Sequence, residues 1–154
     1  MLLAEFLDFD AIRSGLSGGN KRSLLQQLAN LAGNRLGLVP AAVLSSLTER
    51  EQLGSTGFGQ GVAIPHGKIE GVERIYGLFA RLAEPVDYKA IDGKPVDLVF
   101  LLLSPPDAGA DHLKALAVIS RITRNAATLE RMRGARSRDA LAAVLMSADE
   151  RDAA

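Results

Sequence analysis

Val96-Asp97-Leu98-Val99-Phe100-Leu101-Leu102-Leu103 has one charged residue among apolar ones. A strand with one wet face alternates apolar and polar side chains, whereas a strand covered on both faces does not. This run therefore predicts a strand buried between two layers. Ile75 to Leu82 (IYGLFARL) has a similar, largely covered character, and Pro85 and Asp92-Gly93 mark turns between the two strands. Upstream, Asn20 is placed to cap a helix over Lys21 to Leu36. Its Leu24, Leu25, Leu28, Leu31, Ala32 and Leu36 fall on one stripe, and Gly37 can end it. Pro40 opens a second helix that carries Val43, Leu44 and Leu47 at helical spacing as far as Leu53, with Gly54 as its stop. After Pro105-Pro106, a third helix is expected over Ala110 to Arg124. Its predicted buried face is Leu113, Leu116 and Ala117, with Ser120 beside them. Shorter helices follow near Ala127 to Arg133 and Arg138 to Met146. Helices before, between and after central strands predict an α/β sandwich around one sheet.

The composition excludes several functions. The 154 residues suit one ordinary domain, and 47% hydrophobic residues suit a globular one. Lys+Arg and Asp+Glu both number 18, so the formal net charge is zero. A dedicated nucleic-acid binder would carry a basic excess. No cysteine is present, which rules out disulfides, thiol catalysis and cysteine-held metals. MLLAEFLDFD carries Glu5, Asp8 and Asp10 with no basic leader, and apolar runs such as Leu98 to Leu103 fall far short of the ~20 residues that span a bilayer. A cytoplasmic protein without membrane insertion is expected. Arg121, Arg124, Arg131, Arg133, Arg136 and Arg138 form a local basic cluster. It reads as a solvated face balanced by Glu130 and Asp139, or as a patch for an acidic partner or nucleic acid. The lack of interleaved aromatic residues disfavours nucleic acid, and none is expected.

The chemistry concentrates in Gly54-Ser55-Thr56-Gly57-Phe58-Gly59-Gln60-Gly61-Val62-Ala63-Ile64-Pro65-His66-Gly67-Lys68. A P-loop fails here, because the spacing from Gly61 to Gly67-Lys68 is too long and Ile69 occupies the hydroxyl position. A dinucleotide fingerprint also fails: Val62 stands where a glycine is needed, and the glycines follow a helix rather than a strand. What remains is His66 between Pro65, which fixes the approach, and Gly67, which removes bulk beside it. Two readings stand on spacing alone: a nucleophilic imidazole that carries a phosphoryl group, or a turn histidine without chemistry. Two histidines without cysteine leave no metal site expected, although Asp111 would be a third ligand in principle. No cofactor is expected.

Leu47 to Lys68, LTEREQLGSTGFGQGVAIPHGK, resembles the active-site region of phosphotransferase-system enzyme IIA domains of the fructose/mannitol type. The resemblance continues through Ala90-Ile91-Asp92-Gly93-Lys94-Pro95-Val96-Asp97-Leu98, Leu101 to Pro105 and Asp111-His112-Leu113, covering roughly residues 20 to 146. It implies a single α/β domain over 1–154, with a core of about 10–147 and a mixed, mostly parallel sheet flanked by helices on both faces. It also implies that His66 is phosphorylated by a histidine phosphocarrier protein of the HPr type.

Arg50 matches a family active-site arginine, whose fork would hold a dianionic phosphoryl group. Without the resemblance it is a solvated residue of the run Glu49-Arg50-Glu51. His112 matches the family's second active-site histidine, and it also falls in the first turn of the third helix, where an anion is favoured. Its plainer reading is a partly exposed helix histidine. Ser55, Thr56 and Gly67 are candidates for phosphate or loop binding, with a structural loop role equally open. The sequence is most similar to the nitrogen-regulatory branch of the family. Phosphorylation state there controls regulatory targets such as potassium transport or sensor-kinase systems. The alternative is a sugar-specific enzyme IIA that hands the phosphoryl group to an enzyme IIB.

Overall fold

The run from Val96 is the centre of the sheet. The computed structural model describes residues 1–154. The chain opens with 3-10 turns at Leu3–Glu5 and Phe9–Ala11, then β1 (Arg13–Leu16), α1 (Lys21–Leu36) and α2 (Pro40–Glu51). Next come β2 (Gly57–Gly59), β3 (Val62–Ala63), β4 (His66–Lys68), β5 (Tyr76–Val86) and β6 (Val96–Ser104). It closes with α3 (Ala110–Thr123), α4 (Ala126–Gly134) and α5 (Arg138–Ala153).

One long edge of β6 pairs antiparallel with β5, from Tyr76 opposite Leu103 to Arg81 opposite Leu98. β1 lies parallel on the far side of β5. The other edge of β6 takes two short parallel strands end to end. Val62 and Ala63 lie opposite Leu98 and Val99, and His66, Gly67 and Lys68 opposite Leu102, Leu103 and Ser104. β2 closes that edge antiparallel to β3. The sheet is therefore mixed, with its longest pairing antiparallel.

Side chains of β6 alternate between two apolar layers, as a doubly covered strand requires. Leu98, Phe100 and Leu102 pack with Ile119, Leu129 and Leu145 of α3, α4 and α5. Val99, Leu101 and Leu103 pack with Leu24, Leu28, Val43 and Leu47 of α1 and α2. Asn20 caps α1 by accepting from the Ser23 amide, and Gly37 ends it at φ 70°.

Four expectations are corrected. Leu113 is 68% exposed, and α3 instead buries His112, Ala115, Val118, Ile119, Ile122 and Thr123. The helix carries two apolar stripes, and the β-branched one faces the sheet. Pro85 does not end β5; the strand runs on to Val86 through a register shift, where a missing N–H removes no ladder bond. His66 sits in a strand rather than a turn. The core also reaches beyond 10–147, because Leu3, Phe6, Leu7 and Ala148 are buried and α5 continues to Ala153. The buried Asp149 carboxylate accepts the amides of Leu3 at 2.7 Å and Ala4 at 3.0 Å, tying the first turn to the last helix.

Candidate active site

Packing of α2 on β4 builds the site. Gly67 is buried against α2, and a Cβ there would lie 2.2 Å from Ser46 Oγ. Any larger residue would require Ser46 to shift, so glycine lets the helix sit this close, and that closeness brings Arg50, near the end of α2, to His66. The Arg50 Nε–H donates to His66 Nε2 at 3.2 Å, and its Nη1 donates to the Gly54 carbonyl at 3.0 Å. On the ring's other side, His66 Nδ1–H donates to the Ile64 carbonyl at 2.7 Å. The two contacts fix the tautomer: the proton is on Nδ1, and Nε2 presents a lone pair.

The second histidine arrives from the opposite layer. β6 ends at Ser104, beside the start of α3, and the His112 ring centroid lies 5.5 Å from that of His66. The Ser104 hydroxyl is 2.6 Å from His112 Nδ1. With that hydroxyl as donor, His112 keeps its proton on Nε2.

Burial lowers the affinity of His66 for a second proton; the nearby Arg50 charge adds to this, while the Ile64 bond and Glu51 oppose it. Burial likewise holds His112 down to about 4, helped by His66 and Lys68. Two neutral imidazoles thus face each other with a guanidinium alongside. Glu51 has the reverse balance. Burial would push its carboxyl up, yet bonds from Lys21, Thr56 and Tyr88 hold it below the ordinary carboxylate range.

The structure thus brings Arg50, His66 and His112 together. The other three candidates have local duties. Ser55 Oγ accepts the Gly57 amide at 3.1 Å, inside the loop. The Thr56 hydroxyl is buried and donates to Glu51, with Tyr88 Oη 2.9 Å away. Gly67 serves the contact with Ser46. Ser104 was missed by sequence reasoning, although it is the one hydroxyl closing a covered strand and had to find a partner. Glu51 was passed over as part of a charged run; its signal was an acid at a helix C-terminus, against the dipole. Arg121 pairs with Asp152, Arg133 with Asp97, and Arg138 with Asp10 and Asp139, so half of the basic cluster is neutralised locally.

Several large apolar side chains are exposed, among them Leu53 at 83%, Phe58 at 46%, Ile91 at 71% and Leu113 at 68%. The structure has no group of three or more side chains that could hold a metal ion. It also has no helix long and apolar enough to cross a membrane.

Residues 5–148 match the family described as "Phosphoenolpyruvate-dependent sugar phosphotransferase system, EIIA 2". The chain is 47% identical over 145 residues to a "Nitrogen regulatory protein" of Bradyrhizobium diazoefficiens, covering 94% of this chain and 95% of that one. It is 39% identical over 104 residues to a "PTS system fructose-specific EIIA component" of Haloferax volcanii, covering 68% of each. Its fold superposes on the crystal structure of the nitrogen regulatory protein IIA-Ntr from Neisseria meningitidis with a TM-score of 0.87. The two are 38% identical, and the match covers 93% of this chain and 98% of that one.

Proposed function

The chain belongs to the phosphotransferase-system EIIA type 2 family, and from that premise we propose that His66 Nε2 accepts a phosphoryl group from a histidine phosphocarrier of the HPr type. The observation that carries this reading is the oriented lone pair. Nδ1–H is held by the Ile64 carbonyl, and Nε2 points at a guanidinium donor. A phosphoryl group arriving along that line forms an N–P bond at Nε2 as the bond to the donor's nitrogen breaks, and that nitrogen regains its electron pair. His66 keeps its Nδ1 proton during this step, so the loaded ring is an imidazolium until that proton is lost to solvent. The Arg50 donors turn from Nε2 to the phosphoryl oxygens as the group arrives, which frees the lone pair, and a His112 Nε2–H stands ready to donate to another. Exposed Leu53 and Leu113, close along the chain to Arg50 and His112, offer the carrier apolar surface to dock on.

Among branches, the nitrogen-regulatory one is favoured by the 47% identity over nearly the whole of both chains, against two thirds for the fructose-specific relative. The protein then signals by its phosphorylation state. Loading adds one net negative charge while Nδ1 keeps its proton and nearly two once that proton is lost to solvent, enough to make or break a modest interface with a regulatory target, such as a potassium-transport or sensor-kinase system. Incubation with phosphoenolpyruvate, enzyme I and an HPr-type carrier should load one acid-labile phosphate, absent in His66→Ala. Persistence of the label in that variant sinks the mechanism. Efficient onward transfer to a fructose or mannitol enzyme IIB would instead favour the sugar-specific reading.

A further inference from the structure

Arg50 and His66 meet through single hydrogen bonds, and something must aim both of them. Each traces back to Thr56. Its backbone carbonyl accepts the Ile64 amide at 2.9 Å, and Ile64 in turn holds His66 Nδ1. Two residues before Thr56 stands Gly54, whose carbonyl holds the Arg50 guanidinium.

Thr56 itself is anchored to Glu51. The Glu51 side chain is 7% exposed, and its carboxylate gathers four donors from three residues. The Thr56 amide lies at 3.1 Å, the Thr56 hydroxyl donates to the same group, Tyr88 Oη lies at 2.9 Å and Lys21 Nζ at 2.8 Å. These donors come from the start of α1, the loop after α2 and the β5–β6 connection. Lys21 also lies over the Tyr88 ring, 4.4 Å from its centroid. Glu51 is the last residue of α2, where a carboxylate opposes the helix dipole, so the helix itself gains nothing from an acid there.

We propose that Glu51 is a positioning residue: by clamping Thr56 to the end of α2, it sets the Gly54 and Ile64 carbonyls that aim Arg50 and His66 at each other. Lys21 and Tyr88 hold the clamp shut. The inference rests on the reading of His66 as the phosphoryl acceptor. In addition, the Glu51 charge keeps the imidazole more basic than burial alone would.

The test compares Glu51→Gln, Thr56→Val, Thr56→Ser and the double variant Glu51→Gln/Thr56→Val. Each is first checked for a native-like amide spectrum. Glu51→Gln and Thr56→Val are each expected to slow phosphoryl acceptance by about tenfold, the scale of one lost charge-assisted bond. The double variant should be no more than about twofold slower than either single one, and Thr56→Ser should stay within about twofold of the parent protein. In NMR spectra of the unphosphorylated protein, the Arg50 Nε–H and His66 Nδ1–H signals should broaden in Glu51→Gln and persist in Thr56→Ser. Additive losses, or side-chain signals as sharp in Glu51→Gln as in the parent, overturn the proposal. If the parent protein accepts no phosphoryl group, the acceptor reading fails, and the two NMR signals still decide the clamp. If Glu51→Gln does not fold, Tyr88→Phe removes one donor and keeps the ring. A smaller slowing with partial broadening then supports the clamp, and no change in either overturns it.

Discussion

Burial sets the charge state of the two histidines, and with it the response to acid. Both lie below the ordinary imidazole value, His112 at about 4, because desolvation penalises the cation. Below about 6.5, the ordinary value, the unfolded chain takes up protons that the folded chain refuses. Stability is then full above that pH and declines as pH falls toward about 4. The urea midpoint should drop across this window, and His112→Gln should remove much of the slope. An unchanged slope would move the acid lability to His66, which is lowered in the same window; Glu51 adds to it only below its ordinary value of 4.5. At this scale, the Pro-Gly setting singled out His66 with a carrier and a turn histidine both open, and the family resemblance favoured the carrier and added Arg50 and His112 as candidates. Ser104 stayed hidden because its partner, eight residues on, is brought to it by the arrival of α3 at the end of β6.

On the Arg50 side, elements meet at the site through one close approach, that of α2 to β4. Gly67→Ala would force the added methyl against Ser46, costing about 1–3 kcal/mol and moving Arg50 away from His66. Slower phosphoryl acceptance should accompany the loss of stability. Ser46→Ala in the same chain should restore part of both, since Ser46 Oγ is the nearest obstacle. Equal damage with and without Ser46→Ala would show that the backbone, not the hydroxyl, sets the limit. The stripes of α1 and α2 and the long strands were legible because each spans enough residues to show its period. β1, β2, β3 and β4 were not legible as strands in full, since two to four residues show no period and their form is imposed by the ladder beside them. α3 was misfaced for the opposite reason, having apolar residues on two sides.

For the whole molecule, the layering followed from the run at Val96, whose odd and even residues feed separate cores. The join between the chain's two ends did not, because it depends on contacts 145 and 146 residues apart. Asp149→Ala leaves the Leu3 and Ala4 amides without their acceptor and should cost about 1–3 kcal/mol, read by chemical denaturation. A cost near zero would mean that water replaces the carboxylate.

The placement of His66 has a further consequence. On the proposed reading the acceptor, His66, is itself a rung of a strand ladder, paired with Leu102 of the central strand, and has little backbone freedom when it is loaded. Its two states then differ in field far more than in shape. A reader protein that tells them apart must do so by sensing potential, and its discrimination should fade as added electrolyte shortens the reach of that field.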